Sequence, residues 1–198
     1  GGAFITALVF GFIFGPPLIN VLRRKQGKGQ PIRGDGPESH FAKAGTPTMG
    51  GLLIVGALTF STLIWARLDN PFIWMVLFVT LSFAAIGFAD DYAKVSKQNT
   101  KGVSGKVRLL LGVLIAAIAG YWAAQYHPAD LANQLAVPIF KDVLLNLGIF
   151  FVPFSVIVIV GSANAVNLTD GLDGLAIMPV MIAAATFGII SYVVGRTD

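Results

Sequence analysis

Asn164-Ala165-Val166-Asn167-Leu168-Thr169-Asp170-Gly171-Leu172-Asp173-Gly174-Leu175-Ala176 is a polar, acidic stretch set between two of the most apolar runs in the chain, Phe154 to Val160 and Ile177 to Ile190. Two carboxylates, two amides and two glycines are costly to hold beside hydrocarbon, so such an island marks function. Working outward from it, apolar runs of roughly 18 to 22 residues recur along the sequence, the length that crosses ~30 Å of hydrocarbon. The composition agrees. The 198 residues are 55% hydrophobic and only 12% charged, with a mean hydropathy of +0.75, and that charged share is about half of what a soluble domain carries. Six spans are expected, at about 3–22, 48–66, 71–89, 109–126, 146–163 and 175–194, giving an all-α polytopic membrane protein with a single membrane domain over 1–198.

The basic residues fix the orientation. Arg23, Arg24, Lys25, Lys28, Arg33 and Lys43 lie in segment 23–47, and Lys94, Lys97, Lys101, Lys106 and Arg108 in segment 90–108. Eleven of the fourteen bases therefore sit on alternate loops, leaving Arg67, Lys141 and Arg196 for the other side. The positive-inside rule puts 23–47, 90–108 and 164–174 in the cytoplasm and both ends of the chain outside. Six of the ten acids, Asp35, Glu38, Asp90, Asp91, Asp170 and Asp173, share that cytoplasmic face. The net charge of +4 thus reads as topology, and no nucleic-acid partner is expected. With no Cys, disulfides, a zinc–thiolate site and cysteine catalysis are excluded.

The second acidic site is Asp90-Asp91-Tyr92-Ala93-Lys94, which follows the span 71–89 directly. If the helix continues, Lys94 lies on the face of the carboxylates. Adjacent side chains point about 100° apart on a helix, so both carboxylates are not expected to aim at one atom. One can contact a metal or take a proton while the other orients it or a lysine. A helix C-terminus disfavours negative charge, which argues that the pair is there for chemistry. The basic loop after it, with Gly102 and Gly105, suits a polyanion such as a pyrophosphate.

The remaining segments are read more plainly. Pro16-Pro17 should kink or end the first helix. The early bases of 23–47 suit topology and lipid headgroups. Its later part, from Asp35 to Gly51, is rich in Gly and Pro and offers Ser39, His40, Lys43, Thr46 and Thr48 as donors. It fits either a loop lining a phosphate or sugar pocket or an ordinary turn leading into the membrane. Segment 127–145 is external, with 135–140 as a short extended piece on the membrane surface and His127 an interfacial residue. Asn164, Asn167, Asp170 and Asp173 recur every three residues, which on a helix forms one narrow stripe. Those groups can accept from a nucleobase or ribose, or bind a divalent cation. Gly1-Gly2-Ala3 shows no signal-peptide pattern and the start looks clipped. No P-loop, dinucleotide fingerprint, zinc-type His pair or Gly-x-Ser-x-Gly elbow is present.

Four stretches together resemble a known family: Gly36-Pro37-Glu38-Ser39-His40, Gly45-Thr46-Pro47-Thr48-Met49-Gly50-Gly51, Phe88-Ala89-Asp90-Asp91-Tyr92 and Asn164 to Ala176. They are similar to the bacterial phospho-N-acetylmuramoyl-pentapeptide transferases (translocase I), of the polyprenyl-phosphate N-acetylhexosamine-1-phosphate transferase superfamily. The acidic pair alone indicates the superfamily, and the Ser39-His40 loop with the Thr-Pro-Thr-Met-Gly-Gly run favours the muramoyl-pentapeptide branch. The resemblance implies transfer of phospho-MurNAc-pentapeptide from UDP-MurNAc-pentapeptide to undecaprenyl phosphate, with Mg²⁺, giving lipid I and UMP in peptidoglycan synthesis. It implies a multi-pass protein of the bacterial inner membrane with its active site on the cytoplasmic face, and leaves a homodimer open.

By the same resemblance Asp90 and Asp91 match the catalytic acidic pair, with Asp90 favoured as base for the lipid phosphate. Lys94 and Lys106 match basic residues that hold the pyrophosphate or uridine portion. Asn167, Asp170 and Asp173 match polar residues of the nucleoside pocket, with Gly171 and Leu172 beside the uracil, and Lys43 and Thr48 match loop residues at its edge. Such enzymes are bundles of ten spans, so this chain reads as the N-terminal six-span portion. The family's Gly-Asp loop, whose Asp binds Mg²⁺, and its His-rich loop are not among these residues, and no metal ligand is named. Two rivals remain: a sister transferase using UDP-N-acetylglucosamine, and a transporter with a proton relay. The transporter needs acids near the bilayer midplane, whereas these sit at span ends.

Overall fold

A computed structural model describes residues 1–27, 47–98, 102–126, 132–137, 143–170 and 175–195. Among the described residues six α-helices follow one another: α1 (Gly2–Gln26), α2 (Gly51–Trp65), α3 (Pro71–Lys97), α4 (Gly105–Tyr126), α5 (Phe151–Thr169) and α6 (Ile177–Val194). A small hairpin, β1 (Gln134–Ala136) and β2 (Leu144–Asn146), stands between α4 and α5, with Leu135 opposite Leu145. The extended piece expected at 135–140 is thus in part a strand, paired to a partner that sequence alone did not suggest. Among the described residues five helices are long and apolar enough to cross a membrane, counting the 3₁₀ turn Gly148–Phe150 as the start of α5. This is a multi-pass, all-α membrane protein.

The second expected span, 48–66, is a helix of only 15 residues, about 22 Å long and short of the hydrocarbon thickness. The cause lies before its first turn. Met49 has a left-handed φ of 69°, which an α-helix does not accept, so the helix starts only at Gly51. Other bounds shift as well. α1 passes through Pro16 and Pro17 without ending and runs to Gln26, because losing two backbone donors is survivable within a long apolar helix. α3 continues eight residues past the expected 89. Its start is fixed by Pro71 at the first position and by Asn70, whose side chain accepts from the Phe72 N–H at 2.9 Å.

Successive helices pack side by side, α1 on α2, α2 on α3, α3 on α4 and α4 on α5. A close seam of small residues joins α4 and α5. Gly112, Ala116, Ala119 and Gly120 form the buried face of α4, with Ala116 fully covered. A Cβ on Gly120 would lie 2.9 Å from the Ser155 Cβ. Small residues let two backbones approach this closely, which is how helices associate where no water drives them together. Large apolar side chains instead point outward, Phe12 and Phe187 being 74% and 70% exposed, as suits a lipid-facing surface. At the end of the bundle away from the acidic pair, Trp65 donates to the Thr6 hydroxyl and Trp74 to the Leu68 carbonyl, each at 2.9 Å. There the Arg67 guanidinium, hydrogen-bonded to Asp69, holds that carboxyl below its usual range, an exposed pair of little consequence for stability.

Candidate active site

The candidate site is built on the part of α3 that runs past the expected span. Twenty residues of helix span ~30 Å, so Asp90 and Asp91 sit about one hydrocarbon thickness from Pro71. Because α3 runs on to Lys97, the pair lies inside the helix and not at its terminus. The last turn carries Lys94 and Lys97, the sign of charge that a helix C-terminus favours.

Asp90 is 6% exposed and fully engaged. Its Oδ2 meets Lys94 Nζ at 2.6 Å and Arg108 Nη1 at 3.7 Å, while its Oδ1 accepts from the Val103 N–H at 2.8 Å. A carboxylate this far from water needs such partners, since an unpaired buried charge costs several kcal/mol, of order 3–5. Asp91 is more open. Its Oδ2 accepts from the Thr48 hydroxyl at 3.0 Å and its Oδ1 lies 3.4 Å from Lys94 Nζ. The expectation that adjacent carboxylates cannot aim at one atom is corrected here. Both reach the Lys94 ammonium, because that long side chain rises from the next turn and ends between them, closer to Asp90.

Thr48 is held from behind by a residue that sequence reasoning missed. The Gln26 amide donates to the Thr48 carbonyl at 3.0 Å and accepts from the Thr48 N–H at 2.8 Å. This two-bond clasp ties the end of α1 to the residues preceding α2. Gln26 is 8% exposed, and its helical neighbours Arg23, Arg24 and Lys25 masked it as one more polar residue of a basic helix end. The clasp with the Met49 bend aims the Thr48 hydroxyl at Asp91.

The opposite wall comes from α5, which continues as helix through Thr169. Asn164, Asn167 and Asp170 accordingly face the same cavity as the acidic pair, as their three-residue spacing requires. Asn164 also donates back to the Val160 carbonyl at 2.8 Å. The cavity holds about 1050 Å³ and is lined by Thr48, Asp90, Asp91, Lys94, Arg108, Asn164, Asn167 and Asp170 among others. Apolar residues such as Phe83, Ile86 and Phe88 form its other surface. That volume admits a ligand larger than a drug-sized molecule.

Lys106 and Arg108 belong to the first turn of α4, not to a loop. Arg108 lines the cavity, whereas Lys106 is exposed and lies outside its lining. Arg108 had a signal in the sequence: cations in a helix's first turn oppose its dipole and so look for an acid. Lys43, Gly171, Leu172 and Asp173 lie outside the described residues. Among the described residues no three acidic or histidine side chains gather to hold a metal.

The geometry is matched by similarity. Residues 73–198 fit the model of glycosyl transferase family 4, and residues 43–55 fit the phospho-N-acetylmuramoyl-pentapeptide-transferase signature 1. The signature thus covers Lys43 and Thr48, and the family match covers both acidic sites. Over all 198 residues the chain is 78% identical to a phospho-N-acetylmuramoyl-pentapeptide-transferase of Ruegeria pomeroyi, and to another of Ruegeria sp. strain TM1040. It is 68% identical over 199 residues to one of Dinoroseobacter shibae. The chain spans 55% of the length of each of these relatives.

Proposed function

Since the chain belongs to glycosyl transferase family 4, we propose that its whole protein transfers phospho-MurNAc-pentapeptide from UDP-MurNAc-pentapeptide to undecaprenyl phosphate, yielding lipid I and UMP. The observation that carries the reading is one cavity that joins the Asp90–Asp91 pair, two cations and the Asn164–Asn167–Asp170 stripe at the ends of membrane helices. A phosphate on a lipid tail can meet a water-soluble nucleotide only at such a boundary. The site then faces the cytoplasm of an inner-membrane protein, in keeping with the sorting of basic residues.

In the proposed step an oxygen of the lipid phosphate attacks the β-phosphorus of the UDP-sugar in line with the bond that breaks. A new P–O bond forms, the bond from that phosphorus to the bridging oxygen breaks, and the bridging oxygen leaves on UMP. Where the lipid phosphate arrives protonated, its proton passes to the carboxylate pair. Lys94 and Arg108 set positive charge beside the diphosphate, the electrostatic contribution that dominates phosphoryl transfer. Asn167 and Asp170, with Gly171, Leu172 and Asp173 after them, offer acceptors and close backbone approach for the uridine. Lys43, Thr48 and Lys106 complete the substrate contacts in this reading. Mg²⁺ dependence belongs to the proposal for the whole protein.

The test is UMP release by the full-length protein, with undecaprenyl phosphate and either UDP-MurNAc-pentapeptide or UDP-N-acetylglucosamine. Release with the muramoyl substrate alone is the expected result. Release only with UDP-N-acetylglucosamine would replace the reading by that of a sister transferase, and release with neither would discard it.

A further inference from the structure

On that reading, the residues just before α4 have a task at the acidic pair. Gly102 has a φ of +55°, and a Cβ built on it would collide with the Asp90 Oδ1 and come within 2.9 Å of Lys94 Cε. The next residue donates its N–H to that same Oδ1. Two independent requirements therefore fall on one position, a left-handed backbone and the absence of a side chain, and both serve a single contact. Five residues further on, Arg108 approaches the other oxygen of the same carboxylate.

We propose that Gly102 is a positioning residue: it lets the Val103 N–H latch onto Asp90, so that Asp90, Lys94 and Arg108 form one fixed cluster and Asp91 is left as the carboxylate that meets the lipid phosphate. Asp90 is then the anchor of the pair and not its base, the reverse of the division that the family resemblance favours. The chemistry supports this split. Asp90 has a partner on each oxygen and its side chain is only 9% exposed, so it offers a substrate proton far less room than Asp91 does. Asp91, whose side chain is 31% exposed, borders the cavity with its Oδ1 held only by the longer 3.4 Å contact. The cluster also fixes the start of α4, because Arg108 lies on its first turn.

The test uses the full-length protein in two arms, after wild-type UMP release has been established as a separate matter. In the first arm, hydrogen exchange at the Val103 amide is compared between the wild type and Asp90→Ala. Protection in the wild type, lost in the variant, is expected, and equal rapid exchange in both overturns the latch. In the second arm, Gly102→Ala is expected to lower kcat for UMP release by about ten- to hundred-fold, the scale of a strained non-glycine at such a φ. UMP affinity should stay at the wild-type level, because the nucleoside wall on α5 is untouched. Wild-type kcat in Gly102→Ala overturns the proposal even where the function itself is right. If Gly102→Ala does not fold, the exchange arm alone decides.

Discussion

The Thr48 hydroxyl donates to Asp91 at 3.0 Å across 43 positions of sequence, joining the residues before α2 to the overhang of α3. That bond places an uncharged donor on the more open carboxylate of the pair and limits where its oxygens can point. Thr48→Val keeps the shape and removes the donor. Hydrogen bonds to charged groups are worth about 1.5–3 kcal/mol, so kcat for UMP release should fall about ten- to hundred-fold. Thr48→Ser should recover most of it. Equal rates in Thr48→Val and the wild type would remove this bond from the machinery.

Gln26 should act through the same chain without touching substrate. Gln26→Leu leaves the Thr48 N–H and carbonyl without their clasp, at a cost of about 1–3 kcal/mol for buried polar groups. The melting temperature of the purified protein should drop, and kcat should fall in parallel with that of Thr48→Val. A Gln26→Leu protein that melts like the wild type and turns over normally would show that the clasp is dispensable.

Asp91→Asn and Asp170→Asn should each abolish measurable turnover while the protein still inserts into the membrane. In the proposed one-step reaction, rapid quench should trap no phosphoryl group on the enzyme. A covalent phospho-aspartyl species would require two displacements instead of one.

Gly120→Val tests the seam between α4 and α5, away from the cavity. The added methyls have no room beside Ser155, and overpacking of this kind costs about 1–3 kcal/mol. Thermal stability should fall, while kcat per folded molecule stays near the wild-type value. Unchanged stability would mean that the two helices separate more easily than their packing implies.

Much of this was readable from residue order, and the reasons are local. Spacing of three placed Asn164, Asn167 and Asp170 on one face because α5 does continue that far. Lys94 could be paired with the acids because a helix brings the next turn back over the same face. What escaped reading depends on contacts between distant segments. The shortness of α2 follows from a left-handed Met49 and a clasp from Gln26, and neither shows in the apolar pattern of 48–66. The engagement of Asp90 by Val103 and Arg108 is a contact between the end of α3 and the residues at the start of α4, whereas the residues alone suggested a basic loop suited to a polyanion. Periodicity reports which face a side chain occupies, and it is silent on which far segment fills the space opposite.

The length of α3 has a consequence for how a lipid-borne substrate would find the pair. At ~1.5 Å per residue its 27 residues reach about 40 Å, some 10 Å more than the hydrocarbon layer, with the two acids near the point where the excess begins. A phosphate anchored in the bilayer is confined to that same depth, so the search is a lateral glide within a plane. Removing one turn from α3 before Asp90 would lower the acids by ~5.4 Å and sink them beneath the altitude at which headgroups travel.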